Sequence, residues 1–312
     1  MEIVRGFQAL PRKLRNPVIA VGNFDGVHRG HREIFALVRE QAAAQAGESV
    51  VFTFEPHPVK VLAPRLAPAL ITTYERKLEL IAEAGIDAAI VQPFDATFAA
   101  MPASDFIGAV LNGALGARAV CVGYNFTFGR GRAGTPAMLR AGGAEHGFAV
   151  TVVQPLTVDG LVISSTKVRE FVLQGRVEAA TTLLGREHEV PGTVVRGAGR
   201  GRTIGVPTAN LDPEGELIPQ GGIYVGHVRR GGVRLPAVIN SGINPTFVEG
   251  GARTVEAHIL DFDADLYGER LILEFHQRLR AERRFPGVKE LVAQIRLDIE
   301  QGREILRLQG EL

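Results

Sequence analysis

Of the 312 residues only one is a cysteine, Cys121, so no disulfide can close within the chain. No apolar run approaches the ~20 residues needed to span a bilayer, which excludes an integral helical membrane protein, and no membrane partner is expected. No charged-then-apolar segment opens the sequence at Met1 to Leu10, so the expected setting is cytoplasmic. An excess of charge of either sign is missing as well: 35 lysines and arginines stand against 34 acidic residues. No large polyanion is advertised, and nucleic acid is not an expected partner, although local basic clusters can still hold small phosphates. The composition of disorder is absent too, with 46% hydrophobic and 22% charged residues.

The length exceeds one compact core and predicts two domains. Over the first half, strands are expected at Pro17 to Gly22, Ser49 to Phe54, Asp87 to Gln92, Arg118 to Gly123 and Ala149 to Pro155. They alternate with helical patterns at Arg32 to Ala46, Tyr74 to Ala84 and Asp105 to Leu115. That rhythm predicts an α/β doubly wound parallel sheet, Rossmann-like. After Leu184 the pattern becomes short alternating segments at Glu189 to Arg196, Ile223 to Arg229, Val233 to Asn240, Thr254 to Leu260 and Leu271 to Leu279. These predict a small antiparallel β-barrel. A C-terminal helix, Val288 to Leu308, follows with apolar residues at 291, 292, 295, 299, 305 and 306 on one face. The domains are drawn as 1–184 and 185–312.

Four clusters in the first half carry chemistry. Gly22-Asn23-Phe24-Asp25-Gly26-Val27-His28-Arg29-Gly30-His31 follows the first strand and opens a helix. Glycines admit backbone N–H groups to a phosphate, the helix N-terminus adds partial positive charge, and histidines add donors. The bland alternative is a glycine turn with two capping histidines. Phe54-Glu55-Pro56-His57-Pro58 lies at the carboxyl edge of the next strand, where open α/β sheets bind ligands, or is only a rigid proline loop. Gly123 to Gly134 sets Tyr124, Asn125, Phe126, Phe128, Arg130 and Arg132 among glycines, which suits a flat aromatic ligand with a phosphate or else a solvated loop. In Ser164-Ser165-Thr166-Lys167-Val168-Arg169, Ser165 or Thr166 is expected as a helix N-cap, at an end that also suits a pyrophosphate.

In the second half a glycine arch runs from Gly192 to Gly205 and ends in Pro207-Thr208-Ala209-Asn210. Such an arch can offer N–H groups to a nucleotide, though barrel hairpins also use glycine. Thr208 and Asn210 alternate across one residue, so in an extended segment their oxygens share a side and can hold a hard cation. Glu256, within Val255-Glu256-Ala257-His258, is a carboxylate in a strand. It is either half of a salt bridge or a general base for an attacking alcohol.

Together these clusters resemble the bacterial bifunctional riboflavin kinase/FAD synthetase (FMN adenylyltransferase) family. His28-Arg29-Gly30-His31 matches its histidine-x-glycine-histidine signature, and Ser164 to Arg169 matches its second signature. The glycine arch, Pro207 to Asn210, Asn240 to Phe247 and Asp261 to Gly268 match the kinase module. The resemblance implies an adenylyltransferase domain followed by a six-stranded barrel that phosphorylates riboflavin. It implies ATP contacts at Gly22, Phe24, Asp25, Gly26, His28, His31, Ser165, Thr166 and Arg169, with His28, His31 and Arg169 catalytic. Asn125, Phe54, His57, Phe126 and Phe128 would hold FMN. In the barrel, ATP would meet Gly197, Gly199, Gly201, Arg202, Gly205, Thr208 and Asn210, Mg²⁺ would bind Thr208 and Asn210, and Glu256 would activate the alcohol. Riboflavin, FMN, FAD, ATP, ADP and pyrophosphate are the implied partners, and a weak homo-oligomer is a further candidate. Asn125 stands where many relatives carry aspartate, Val206 replaces an aromatic, and Ser241-Gly242-Ile243 departs from the usual segment. The alternatives are a chain with one active half, or a non-catalytic flavin or nucleotide sensor.

Overall fold

The computed structural model describes residues 1–197, 201, 204–243 and 253–311. Two compact units divide the chain: Met1–Pro68 with Tyr74–Ile163, and Ala69–Thr73 with Ser164–Leu312. Among the described residues no helix is long and apolar enough to cross a membrane.

In the first unit, strands β1 (Glu2–Arg5), β2 (Val18–Val21), β3 (Ser49–Glu55), β4 (Ala88–Pro93), β5 (Ala119–Gly123) and β6 (Ala149–Val153) form one sheet in the order β1-β4-β3-β2-β5-β6. All pairs are parallel. Strand β2 is apolar and buried throughout, because a parallel sheet covered on both faces has no solvent side. One face packs a ring-rich core that includes Phe52, Phe54, Phe106 and Phe128. The other packs Val18, Ala20 and Val51 against Ile34, Phe35 and Val38 of α1 (Arg29–Ala44) and Leu78 and Ile81 of α2 (Tyr74–Glu83). Three details depart from the sequence reading. Strand β1 is an additional edge strand, too short for alternation to reveal. Helix α1 starts at Arg29 rather than Arg32, which brings His31 into its first turn. The expected helix near Asp105 to Leu115 is largely a nine-residue π-helix, α3 (Phe106–Ala114). Helix α4 (Pro136–His146) and a small hairpin of β7 (Thr157–Val158) and β8 (Leu161–Val162) complete the unit.

The second unit is a closed barrel in the order β10-β13-β12-β11-β14-β9. Its strands are β9 (His188–Val195), β10 (Ala209–Pro213), β11 (Gly222–Arg230), β12 (Val233–Ile243), β13 (Arg253–Ile259) and β14 (Arg270–Arg280), all antiparallel. Local alternation shows five of them; β10 is the short segment that carries Asn210. Alternate residues fill the interior, among them Leu211, Ala237, Ile239, Val255, Ala257, Ile259 and Phe275. Helices α5 (Ser165–Leu173) and α6 (Val177–Leu184) belong to this unit, and Val177 joins the barrel core. The closing helix, α7 (Val288–Leu308), lies on the outside of β11 and β12: a Cβ on Gly302 would stand 3.3 Å from Val238 and 3.4 Å from Val225.

Candidate functional site

In the first sheet, chain order runs β2, β3, β4 to one side and β5, β6 to the other, so the direction reverses between β2 and β5. Loops leaving the carboxyl ends of these two strands flank the crevice where such sheets bind ligands. The Gly22–His31 turn leaves β2 and the Gly123–Gly134 loop leaves β5, which brings two of the four clusters to one edge. The Phe54–His57 segment leaves β3, beside β2 on the same edge.

The β2 turn is strained. Phe24 and Val27 adopt φ of 51° and 40°, a left-handed region that costs bulky residues energy, and Gly26 adopts 80°. Burial offsets that cost: Phe24 and Val27 lie in the core beside Phe35. Gly22 is required for a different reason, since a Cβ there would stand 2.9 Å from the Phe24 ring. Thr53 ties the turn down by donating from its hydroxyl to the Asn23 carbonyl at 3.1 Å. His28 is the N-cap of α1 and accepts from the His31 N–H at 3.3 Å through Nδ1. The two imidazoles stack with centroids 3.5 Å apart, and Phe24 meets His31 edge-on at 5.2 Å. A paired-imidazole surface therefore crowns a helix N-terminus of 16 residues, where anions are stabilised. Asp25 and His28 are both buried.

Lys77 was not singled out in the sequence. It is buried on α2, donates from Nζ to the Phe54 carbonyl at 3.1 Å and stands 4.0 Å from Glu55. Burial pushes its ammonium below the usual lysine range, with Glu55 and Asp25 opposing the shift. The signal was available: a lysine beside Leu78 on the apolar face of a helix is costly unless it serves the adjoining carboxyl edge.

Of the expected flavin contacts, Phe54 and Phe128 are buried within the aromatic core. Phe126 stacks on Phe128 with centroids 5.4 Å apart, and Asn125 is exposed. His57 caps a short helix, Pro58–Leu62, by accepting from the Val59 N–H at 3.3 Å. In the second unit, the cap of α5 is Ser164, which accepts from the Lys167 N–H at 3.2 Å. This corrects the expectation that Ser165 or Thr166 caps the helix; both lie inside its first turn. Arg169 donates from Nε to the Ala69 carbonyl at 2.7 Å.

On the barrel exterior, Asn210 stands directly opposite Glu256, and the Thr208 hydroxyl donates to the Glu256 carboxylate at 3.4 Å. His258, two residues along β13, contacts the Pro207 carbonyl through Nδ1 at 2.8 Å and steadies the segment carrying Thr208. Two glycines of the arch, Gly197 and Gly201, are needed for close approach. A Cβ on Gly197 would collide with the Asn210 side chain, and one on Gly201 would collide with the Val206 carbonyl and stand 3.2 Å from the Thr208 hydroxyl. Gly205 adopts φ of 77°. Gly199 and Arg202 lie outside the described residues, as do the last four residues of the Asn240–Phe247 segment. Thr208, Asn210 and Glu256 offer hydroxyl, amide and carboxylate oxygens, the donor set of a hard cation that also binds phosphates.

Two family models match: one described as FAD synthetase over residues 10–167 and one described as riboflavin kinase over residues 184–306. The chain is 38% identical over 310 residues to the bifunctional riboflavin kinase/FMN adenylyltransferase of Escherichia coli (strain K12), covering 99% of each chain. It is 36% identical over 305 residues to the protein of the same name from Pseudomonas fluorescens, covering 98% of each. A solved Streptococcus pneumoniae structure, described as a macrolide-efflux protein, is similar with a TM-score of 0.87 at 30% identity, covering 97% of this chain and 99% of that one. Stacked histidines at the reversal point of a parallel sheet, a carboxylate beside Thr208 and Asn210 on a closed barrel, and relatives matching from end to end place this chain in the bifunctional riboflavin kinase/FMN adenylyltransferase family.

Proposed function

We propose that this chain converts riboflavin to FMN and FMN to FAD, with ATP as co-substrate of both steps, residues 185–312 serving the first and 1–184 the second. The observation that carries the reading is Glu256 facing Asn210 with the Thr208 hydroxyl on its carboxylate. In the first step Glu256 takes the proton of the terminal ribityl hydroxyl as its oxygen attacks the γ-phosphorus, and ADP leaves. Mg²⁺ held by Thr208 and Asn210 would neutralise phosphate charge, and Gly197, Gly199, Gly201, Arg202 and Gly205 would wrap the nucleotide.

In the second step an FMN phosphate oxygen attacks the α-phosphorus of ATP and pyrophosphate leaves, with no enzyme nucleophile needed. The protein aligns two anions and stabilises charge on the crowded phosphorus. His28, His31 and the first turn of α1 serve this, together with Gly22, Phe24, Asp25 and Gly26. Ser165, Thr166 and Arg169 are proposed as further ATP contacts, and Asn125, Phe54, His57, Phe126 and Phe128 as FMN contacts. The balance of 35 basic and 34 acidic residues suits an enzyme of small phosphates rather than of nucleic acid. A cytoplasmic setting, no membrane partner and a weak homo-oligomer belong to the same reading.

The test incubates the protein with riboflavin, ATP and Mg²⁺ and resolves flavins by chromatography over time. FMN should appear first and FAD after it. FMN alone would confine activity to the barrel, FAD from added FMN alone would silence the barrel, and no conversion would leave a sensor.

A further inference from the structure

The row of side chains holding Asn210 and Glu256 has a third polar member. Asn240 on β12 stands directly opposite Glu256 on β13, which stands directly opposite Asn210 on β10; the other neighbour of Asn240 is Ile223 on β11. Directly opposed residues point to the same face with Cβ atoms about 5 Å apart. That face is the exterior, because the residues flanking each member, Leu211, Ile239, Val255 and Ala257, fill the barrel core. Along β12 the same face carries Val238, covered by α7 at Gly302, and Gly242, where a Cβ would stand 2.8 Å from the Glu282 carboxylate. Asn240 is thus enclosed from both ends of its strand.

Its Oδ1 atom is buried and has no hydrogen-bond partner among the described residues. A buried polar atom left unmade costs about 1–3 kcal/mol, and no group among the described residues answers this one, which leaves it open to a ligand hydroxyl. The Thr208 hydroxyl occupies one side of the Glu256 carboxylate, toward the expected nucleotide. Asn240 stands on the other, where an alcohol acceptor must enter to lose its proton to Glu256. A hydroxyl is the partner that serves either orientation of an asparagine amide, since it both donates and accepts.

We propose that Asn240 is a substrate-positioning residue: its amide binds the hydroxyl adjacent to the one being phosphorylated and presents the terminal hydroxyl of the polyol chain to Glu256. The inference rests on the kinase reading above. Its chemistry predicts selectivity for an acceptor with vicinal hydroxyls, because a site built around a buried polar atom rejects an analogue that leaves the atom unpaired.

The test is a cycle between enzyme and substrate. Riboflavin and 4′-deoxyriboflavin, which keeps the terminal hydroxyl, are compared as acceptors for the wild-type chain and for Asn240→Leu. For the wild type, kcat/KM should fall about 10- to 100-fold on removing the 4′-hydroxyl. Asn240→Leu should lose a similar factor on riboflavin, discriminate between the two flavins by less than about 3-fold, and keep its KM for ATP. Equal losses on both flavins, wild-type indifference to the 4′-hydroxyl, or a changed KM for ATP would overturn the assignment. Should Asn240→Leu fail to fold, Asn240→Ala runs the same cycle. A wild-type chain that leaves riboflavin unphosphorylated would instead sink the kinase reading itself.

Discussion

Gly197 and Gly201 show how little room separates the arch from the groups it shields. Their missing side chains let backbone lie against Asn210 and Thr208, so Gly197→Ala must displace the Asn210 amide. The expected result is a rise in KM for ATP of about 10-fold in riboflavin phosphorylation, with FAD formation from added FMN unchanged; steady-state kinetics on each half-reaction checks it. Glu256→Gln removes the base but keeps its shape. It should lower FMN formation by about 10²- to 10⁴-fold and spare FAD formation, whereas His31→Ala should do the reverse. Equal loss of both activities in either variant contradicts the division of labour. At this scale the sequence was most informative where residue type implied chemistry, as at His28, His31, Thr208 and Glu256. For Lys77 it offered only a lysine on an apolar helix face, and what that lysine reaches, the Phe54 carbonyl, comes from the structure. Cys121, read as a small buried apolar residue, is that: it lies wholly within the sheet, and burial pushes its thiol up to about 11.

Among elements, α7 repays attention because its apolar stripe was readable while the centre of its buried face was not. Residues Leu291, Val292, Ile295, Ile299, Ile305 and Leu306 are half-buried or buried as their spacing requires. Between them, however, sit Asp298 and Gly302, both buried. Gly302 allows close approach to β11 and β12, and Asp298 receives Arg280 of β14 in a two-point ion pair at 2.9 and 2.6 Å. Asp298 is 3% exposed, so Asp298→Ala strands a guanidinium against the barrel and should cost about 3 kcal/mol, read as a lowered urea midpoint. An unchanged midpoint would make the pair ornamental. Strands β1 and β10 escaped a reading by alternation for the same reason: four or five residues offer too few repeats to distinguish an edge strand from a loop.

For the molecule as a whole, acid should act through histidines pulling in opposite directions. His188 is buried in β9 against the Leu217 carbonyl at 2.8 Å, and burial pushes its pKa down to about 4. An unfolded chain takes up that proton near pH 6.5, so the stability His188 confers is complete above 6.5 and drains away as pH falls toward 4, by about 3 kcal/mol. His276 runs the other way. Its contact with Glu187 at 2.7 Å raises its pKa, so its contribution is complete below 6.5 and is lost as pH rises through the raised value. The carboxylates nearby are not short of cations, since Arg234 binds Glu187 and Glu274 at 2.6 Å each and Glu311 at 3.3 Å. Chemical denaturation of His188→Gln at pH 7 and pH 4.5 should therefore show a smaller loss between the two than the wild type; identical losses would remove His188 from the acid response.

From the sequence alone came the alternation of strands and helices in the first sheet, apart from β1, and the positions of the glycine turns that open its helices, because buried parallel strands and glycine turns leave marks in neighbouring residues. Only the tertiary structure decided that Asn210, Asn240 and Glu256, from three strands far apart in the chain, stand in one row. It also decided that α5 and α6, on the sequence-drawn side of residue 184 that belongs with the sheet, join the compact unit of the barrel. The physical reason is the same in both cases. Barrel closure pairs strands by hydrogen bonds between distant residues, and helix docking answers to whichever apolar surface is uncovered, so neither register nor partner is written in local periodicity.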